Sequence, residues 1–361
     1  MNRAEFESLL QRDGLLCGPL PAAAPDGGPW YLQAVSGFGA WLAALLVLSM
    51  LGGLLSDLWS SMSARLLVGG ALCAGAAFIA RSTAARPAGT REGAFLAQFT
   101  LAFALAGIAL VGSAIFDGVR GNVPQATALA ALAAVLLVAN PERVHRAFMA
   151  WMLVVAGTSA LWMLRLEPAI SIALAVVTAA LWLGQARCAA AGLLPVTAPI
   201  GVACAGVLVL LQVPDVVPRD VAADVPFALD GVRSAMLRCL GIAAVLAVAG
   251  VLIARRVAID AQADVRRAPY VLAVFCAVLA AAAWRTPGIV ACLLVWLLGV
   301  WAGRSQLVWY GLAGLAAYLG MRYYALDMTL MHKGVAMIVV AGVLLGARFL
   351  LPLVWPQRAD R

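Results

Sequence analysis

The sequence predicts an all-α integral membrane protein, a polytopic bundle of about twelve transmembrane helices with both termini cytoplasmic. Three observations carry that expectation. Hydrophobic residues make up 64% of the chain and charged residues 12%, against about 45–50% and about 25% in soluble domains. Apolar runs of about 20 residues, the length that crosses hydrocarbon, recur from Phe38 to the C-terminus. These runs are continuous in Ala, Leu, Val and Gly, without the alternation of barrel strands, so helices remain to satisfy the backbone in lipid.

Residues 1–28 read as a cytoplasmic segment ahead of a transmembrane domain over 29–361. Asn2 to Asp13 fits a short amphipathic helix with Asn2 as cap and Phe6, Leu9 and Leu10 on one face. Glu5, Glu7, Arg12 and Asp13 interrupt it, so a cleaved signal is not expected there. Pro19 to Pro29 is a Pro-, Ala- and Gly-rich linker, and Trp30 and Tyr31 suit an interfacial aromatic belt.

The predicted spans are Ser36 to Leu55, Met62 to Ala80, Ala94 to Ser113 and Pro124 to Ala139, then Ala147 to Leu164, Pro168 to Gln185, Gly192 to Gln212 and Ala235 to Ala254. Tyr270 to Trp284, Pro287 to Ala302, Gln306 to Arg322 and His332 to Leu350 complete them. Pro168 belongs in a first helical turn, where its missing N–H costs nothing. Counting basic residues on alternate sides puts about 16 on the side of the termini and about 9 on the other. Arg255, Arg256, Arg266 and Arg267 contribute most to that asymmetry. The long connection Val213 to Ser234, with Asp215, Asp220, Asp224 and Asp230, falls outside and lacks the spacing and glycine of a calcium loop.

Composition narrows the chemistry. The formal charge of +8 comes almost wholly from dispersed arginines, Lys333 being the sole lysine, which fits cytoplasmic loops and excludes a nucleic-acid module. The seven cysteines form no CxxC pair and sit mostly in apolar helices, as small packing residues. No HExxH, GxSxG or P-loop occurs, and His145 and His332 are the only histidines. His145, between Arg143 and Arg146 in a predicted turn, reads as solvated. Arg165 and Glu167 before Pro168 read as an interfacial salt bridge. The GxxxG spacings Gly299 to Gly303 and Gly342 to Gly346 permit close helix approach, internal or between copies.

One segment concentrates polar groups. Arg322, Tyr323, Tyr324, Asp327, Thr329, His332 and Lys333 stand between the last two predicted spans. On a helix Tyr323, Asp327 and Met331 share a face, as do Thr329 and Lys333. Charges beside lipid are costly enough to make this the candidate polar cluster, with Asp327 neutralised by Arg322, Lys333 or a tyrosine hydroxyl. No catalytic residue, cofactor or metal site is expected.

The stretch Tyr323 to Lys333, with Trp30, Tyr31 and Gly37, Phe38, Gly39, Ala40, Trp41, resembles a bacterial family of uncharacterised polytopic membrane proteins, domain-of-unknown-function family four-four-zero-one. Similarity at both ends implies coverage of nearly the whole chain. The family pattern tends to place serine after the lysine, where this chain has Gly334. The resemblance implies a partner, since members are often encoded beside a small membrane protein with a GDYxxLxY motif, and it implies no activity. The expected function is therefore a non-enzymatic inner-membrane protein acting with another membrane component. The alternative is a transporter or lipid-handling protein of unknown substrate, using the charged cluster near the last hairpin.

Overall fold

The computed structural model describes residues 30–54, 61–83, 91–212, 232–260, 287–325 and 331. Among them every regular element is a helix: α1 (Trp30–Leu54), α2 (Met62–Thr83), α3 (Arg91–Gly118), α4 (Asn122–Ala139), α5 (Arg143–Met163), α6 (Glu167–Leu183), α7 (Gln185–Ala190), α8 (Leu194–Leu210), α9 (Val232–Asp260), α10 (Pro287–Ala302) and α11 (Ser305–Ala325). The predicted spans from Ser36 to Ala254, Pro287 to Ala302 and Gln306 to Arg322 fall on these helices. Tyr270 to Trp284, His332 to Leu350, the helix at Asn2 to Asp13 and the acidic residues of the long connection lie outside the described residues.

Among the described residues, five segments are long and apolar enough to cross a bilayer: Met62–Ser82, Phe95–Gly118, Asn122–Ala139, Arg143–Met163 and Ser234–Val257. Shorter apolar helices run over Gly37–Met50, Pro168–Leu183, Leu194–Leu210 and Pro287–Ala302. The exterior agrees with a lipid solvent. Leu46, Leu67, Phe78 and Trp309 are 70%, 75%, 74% and 68% exposed, and each such side chain would gain about 1.5–3 kcal/mol by leaving water. Spread over so many helix faces, that cost marks a membrane protein.

Helix ends follow local chemistry. Asn140 ends α4, and its Oδ1 accepts from Glu142 N at 3.0 Å. Glu142 then caps α5, its carboxylate accepting from the backbone N–H of Val144 and His145, so α5 starts at Arg143, ahead of the predicted Ala147. Pro168 occupies the first turn of α6 as expected. The short α7 was not legible as an element of its own; Gly192, at φ 69°, separates it from α8.

The chain divides into two compact units, Met1–Leu164 and Arg165–Arg361. In the first, α2 packs on α3, α1 on α3, and α4 on α5. The α2–α3 crossing is closed by glycine. A Cβ on Gly69 would stand 2.8 Å from the Gly107 carbonyl oxygen, and one on Gly107 would stand 2.6 Å from Cys73 Sγ, so any side chain would force the backbones apart. Trp41 Nε1 donates to Gln98 Oε1 at 3.1 Å, joining α1 to α3. Arg65 of α2 donates to Ser113 Oγ at 3.3 Å and pairs with Asp117, both on α3. Gln125 Nε2 donates at 2.9 Å to the carbonyls of Phe116 and Val119, fastening the α3–α4 turn.

In the second unit α10 is central, packed against α11, α9, α6 and α8. Its Val290, Ala291, Cys292, Leu294, Val295 and Leu298 are at most 1% exposed, as expected of a helix apolar on every face. Gly299 of the predicted GxxxG faces α11, where a Cβ would stand 2.6 Å from Val308 N, while Gly303 forms the turn at φ 62°. That spacing serves internal packing. Cys73, Cys204, Cys239 and Cys292 are buried, in keeping with packing roles.

Candidate functional site

Polar side chains in the second unit collect at its two ends. At one end the residues come from α6, the turn after α8, and α9. Gln212 is 1% exposed; its Nε2 donates to Leu208 O at 3.0 Å and approaches Ser171 Oγ at 3.5 Å, while its Oε1 accepts no hydrogen bond from the described residues. Ile172 lies over Gly241 of α9, so Arg238, one turn before Gly241, stands near the level of Ser171. Arg238 is 1% exposed, and its Nε donates to Ser234 O at 3.4 Å. A guanidinium taken out of water costs several kcal/mol unless it is well hydrogen-bonded, so its position is chemically meaningful.

The local sequence explains that burial. Arg238 begins the buried stripe continued by Ile242, Leu246, Ala249 and Ile253, a spacing of three and four that keeps one helix face inward. Ser171 and Gln212 likewise fall inside predicted spans. A guanidinium, an amide and a hydroxyl within apolar runs were the available signal, and the sequence reading singled out none of them.

The predicted cluster is reached only in part. Tyr323 is half-buried on α11, and Arg322 and Tyr324 lie on the same last turn; Asp327, Thr329, His332 and Lys333 lie outside the described residues. Gly314 of α11 touches Val209 of α8, and Tyr318 covers Gly288 at the start of α10. Both contacts carry the end of α11 toward the end that holds Gln212. Of the predicted group, the backbone of Arg322 to Tyr324 therefore shares an end of this unit with Ser171, Gln212 and Arg238.

The opposite end is basic. Arg256 Nη1 donates to the Leu183 carbonyl at 3.0 Å, and Arg304, in the α10–α11 turn, stands 5.9 Å from the Trp182 ring centroid. Trp182 itself is 2% exposed beside Gly201 of α8. The cation over the indole face is a favourable placement, worth about 0.5–1 kcal/mol at an exposed site.

In the first unit, His145 corrects a sequence expectation. It is 1% exposed rather than solvated, and neither ring nitrogen has a hydrogen-bond partner among the described residues. The reason is register. Because α5 begins at Arg143, His145 starts the inward stripe that continues through Met149. The Gly37 to Trp41 segment, which carried part of the family resemblance, lies at the α1–α3 contact, with Ala40 at 0% exposure and Gly37 facing Gln98.

No curated protein and no solved structure matches the chain. The sequence profile of the family described as Domain of unknown function (DUF4401) matches residues 29–354, from the Trp30 segment through the Arg322 to Lys333 cluster. That match bears out the resemblance drawn from the two ends of the sequence, and the chain belongs to that family.

Proposed function

We propose that the chain is a non-enzymatic, multi-pass protein of the bacterial cytoplasmic membrane that acts by contact with another membrane component. The observation that supports this most is how hydroxyls inside the helices are used. Thr100, Thr158 and Thr178 donate to carbonyls of their own helices, at Leu96, Val154 and Leu174, while the helices close on glycine contacts. Such packing favours a scaffold over a solute path. The missing catalytic motifs point the same way. The small membrane protein with a GDYxxLxY motif, implied by the family resemblance, is the partner we propose. In this reading about twelve helices span the bilayer, both termini are cytoplasmic, and residues 1–28 are a peripheral helix and linker ahead of 29–361.

A second reading, transport or lipid handling, has its own support. Ser171, Gln212 and Arg238 stand at the end of the unit toward which α11 carries Arg322 to Tyr324, and the proposed cluster would add Asp327, Thr329, His332 and Lys333. The two readings separate experimentally. Co-expression with the GDYxxLxY protein and purification in mild detergent is expected to give a stoichiometric complex that survives Arg238→Gln. A chain that purifies alone, and whose cellular phenotype is abolished by Arg238→Gln at unchanged thermal stability, would overturn the first reading in favour of the second.

A further inference from the structure

The basic end of the second unit has a chemistry that the contact reading does not use. Arg187 of α7, Arg255 and Arg256 at the end of α9, and Arg304 between α10 and α11 are all exposed. The contacts already described bring them to one end. Arg256 reaches the last carbonyl of α6, Arg304 covers Trp182 in the last turn of α6, and Arg187 follows Leu183 by one helical turn. No described acidic side chain lies in this unit. In the sequence, the connections 184–193, 255–269 and 303–305 together hold six arginines against Asp260 and Asp264.

Two of these guanidiniums are held in place by the fold, Arg256 by a carbonyl and Arg304 by an indole face. The side chains of Arg187 and Arg255 make no hydrogen bond or ion pair with the described residues. Helix-end carbonyls account for Arg256, and they leave the other three guanidiniums with donors to spare. Planar, always-charged forks beside an apolar, lipid-facing surface are suited to phosphate oxygens at the headgroup level.

We infer that this end of the second unit binds the phosphate headgroups of anionic glycerophospholipids, with Arg187, Arg255 and Arg304 as donors and Arg256 as a fixed member of the ring. The inference rests on membrane residence and is independent of any protein partner. Exposed arginines at a membrane surface each contribute roughly fivefold to affinity for anionic lipid.

The test uses the full chain, purified in detergent and titrated with phosphatidylglycerol or phosphatidylcholine, with retained lipid counted by native mass spectrometry. Phosphatidylglycerol should be retained in preference to phosphatidylcholine. R187Q/R255Q should weaken that retention by roughly 25-fold; since neither side chain bonds to a described residue, the variant should elute and melt like the wild type. R187K/R255K, which keeps the charge and loses the planar fork, should retain more lipid than R187Q/R255Q and less than the wild type. Arg165→Gln, at the far end of α6, should change nothing. Equal retention of the two lipids, undiminished retention by R187Q/R255Q, or displacement of the lipid by millimolar inorganic phosphate alone would each overturn the inference. Loss of lipid binding with the GDYxxLxY complex intact would leave the contact reading standing, so the two can fail separately.

Discussion

At the scale of single residues, the two buried polar side chains that begin an inward stripe are the informative ones. His145 and Arg238 each stand four residues before an apolar position on the same helix face, Met149 and Ile242. They differ in chemistry. The imidazole can be neutral, and a neutral ring with no partner is a polar group whose removal by an apolar residue of similar volume is close to free. His145→Leu should therefore hold the thermal stability of the detergent-solubilised protein within about 1 kcal/mol of wild type, or raise it. A loss above about 2 kcal/mol would mean that the ring has a partner. Arg238 cannot neutralise itself, and its burial depends on the groups around it. The sequence misled at His145 because its arginine neighbours resemble a solvated turn. The four-residue step to Met149 carried the contrary signal, and it becomes decisive only once Glu142 is known to start the helix.

At the scale of elements, most of the fold was legible because lipid imposes a simple rule. An apolar run of about 20 residues can satisfy its backbone only as a helix, and the predicted spans over Ser36 to Ala254 coincide with helices for that reason. What was not legible was partner choice among helices of nearly uniform composition. Glycine contacts decide that choice. Gly107 was one of 34 glycines in the sequence, and only the structure shows it against Gly69 and Cys73. Gly107→Val should destabilise the protein by about 1–3 kcal/mol through overpacking. Gly39→Ala, in the same unit, meets nothing within 4 Å and should be neutral or stabilise by about 0.5–1 kcal/mol. Thermal unfolding of the two variants side by side checks the pair, and equal melting would remove the Gly69–Gly107 crossing as a packing determinant.

At the scale of the whole molecule, the arginines organise the account. In the second unit Arg187, Arg255, Arg256 and Arg304 meet at one end, while Ser171, Gln212 and Arg238 stand at the other. Each member of the first group lies in a connection that the basic-residue count assigns to the cytoplasmic side, although only Arg255 and Arg256 stood out in that count. The second group escaped because serine, glutamine and a lone arginine inside an apolar run leave no motif. The proposed topology is a multi-pass bundle whose arginine-rich end faces the cytoplasm. Reporter fusions that are active only in the cytoplasm test it most directly when placed after Arg187, Arg267, Arg304 and Arg361, and after Arg165, Asp220 and Arg285. Activity is expected at the first four positions and none at the last three. Activity at Asp220 with silence at Arg267 would contradict it.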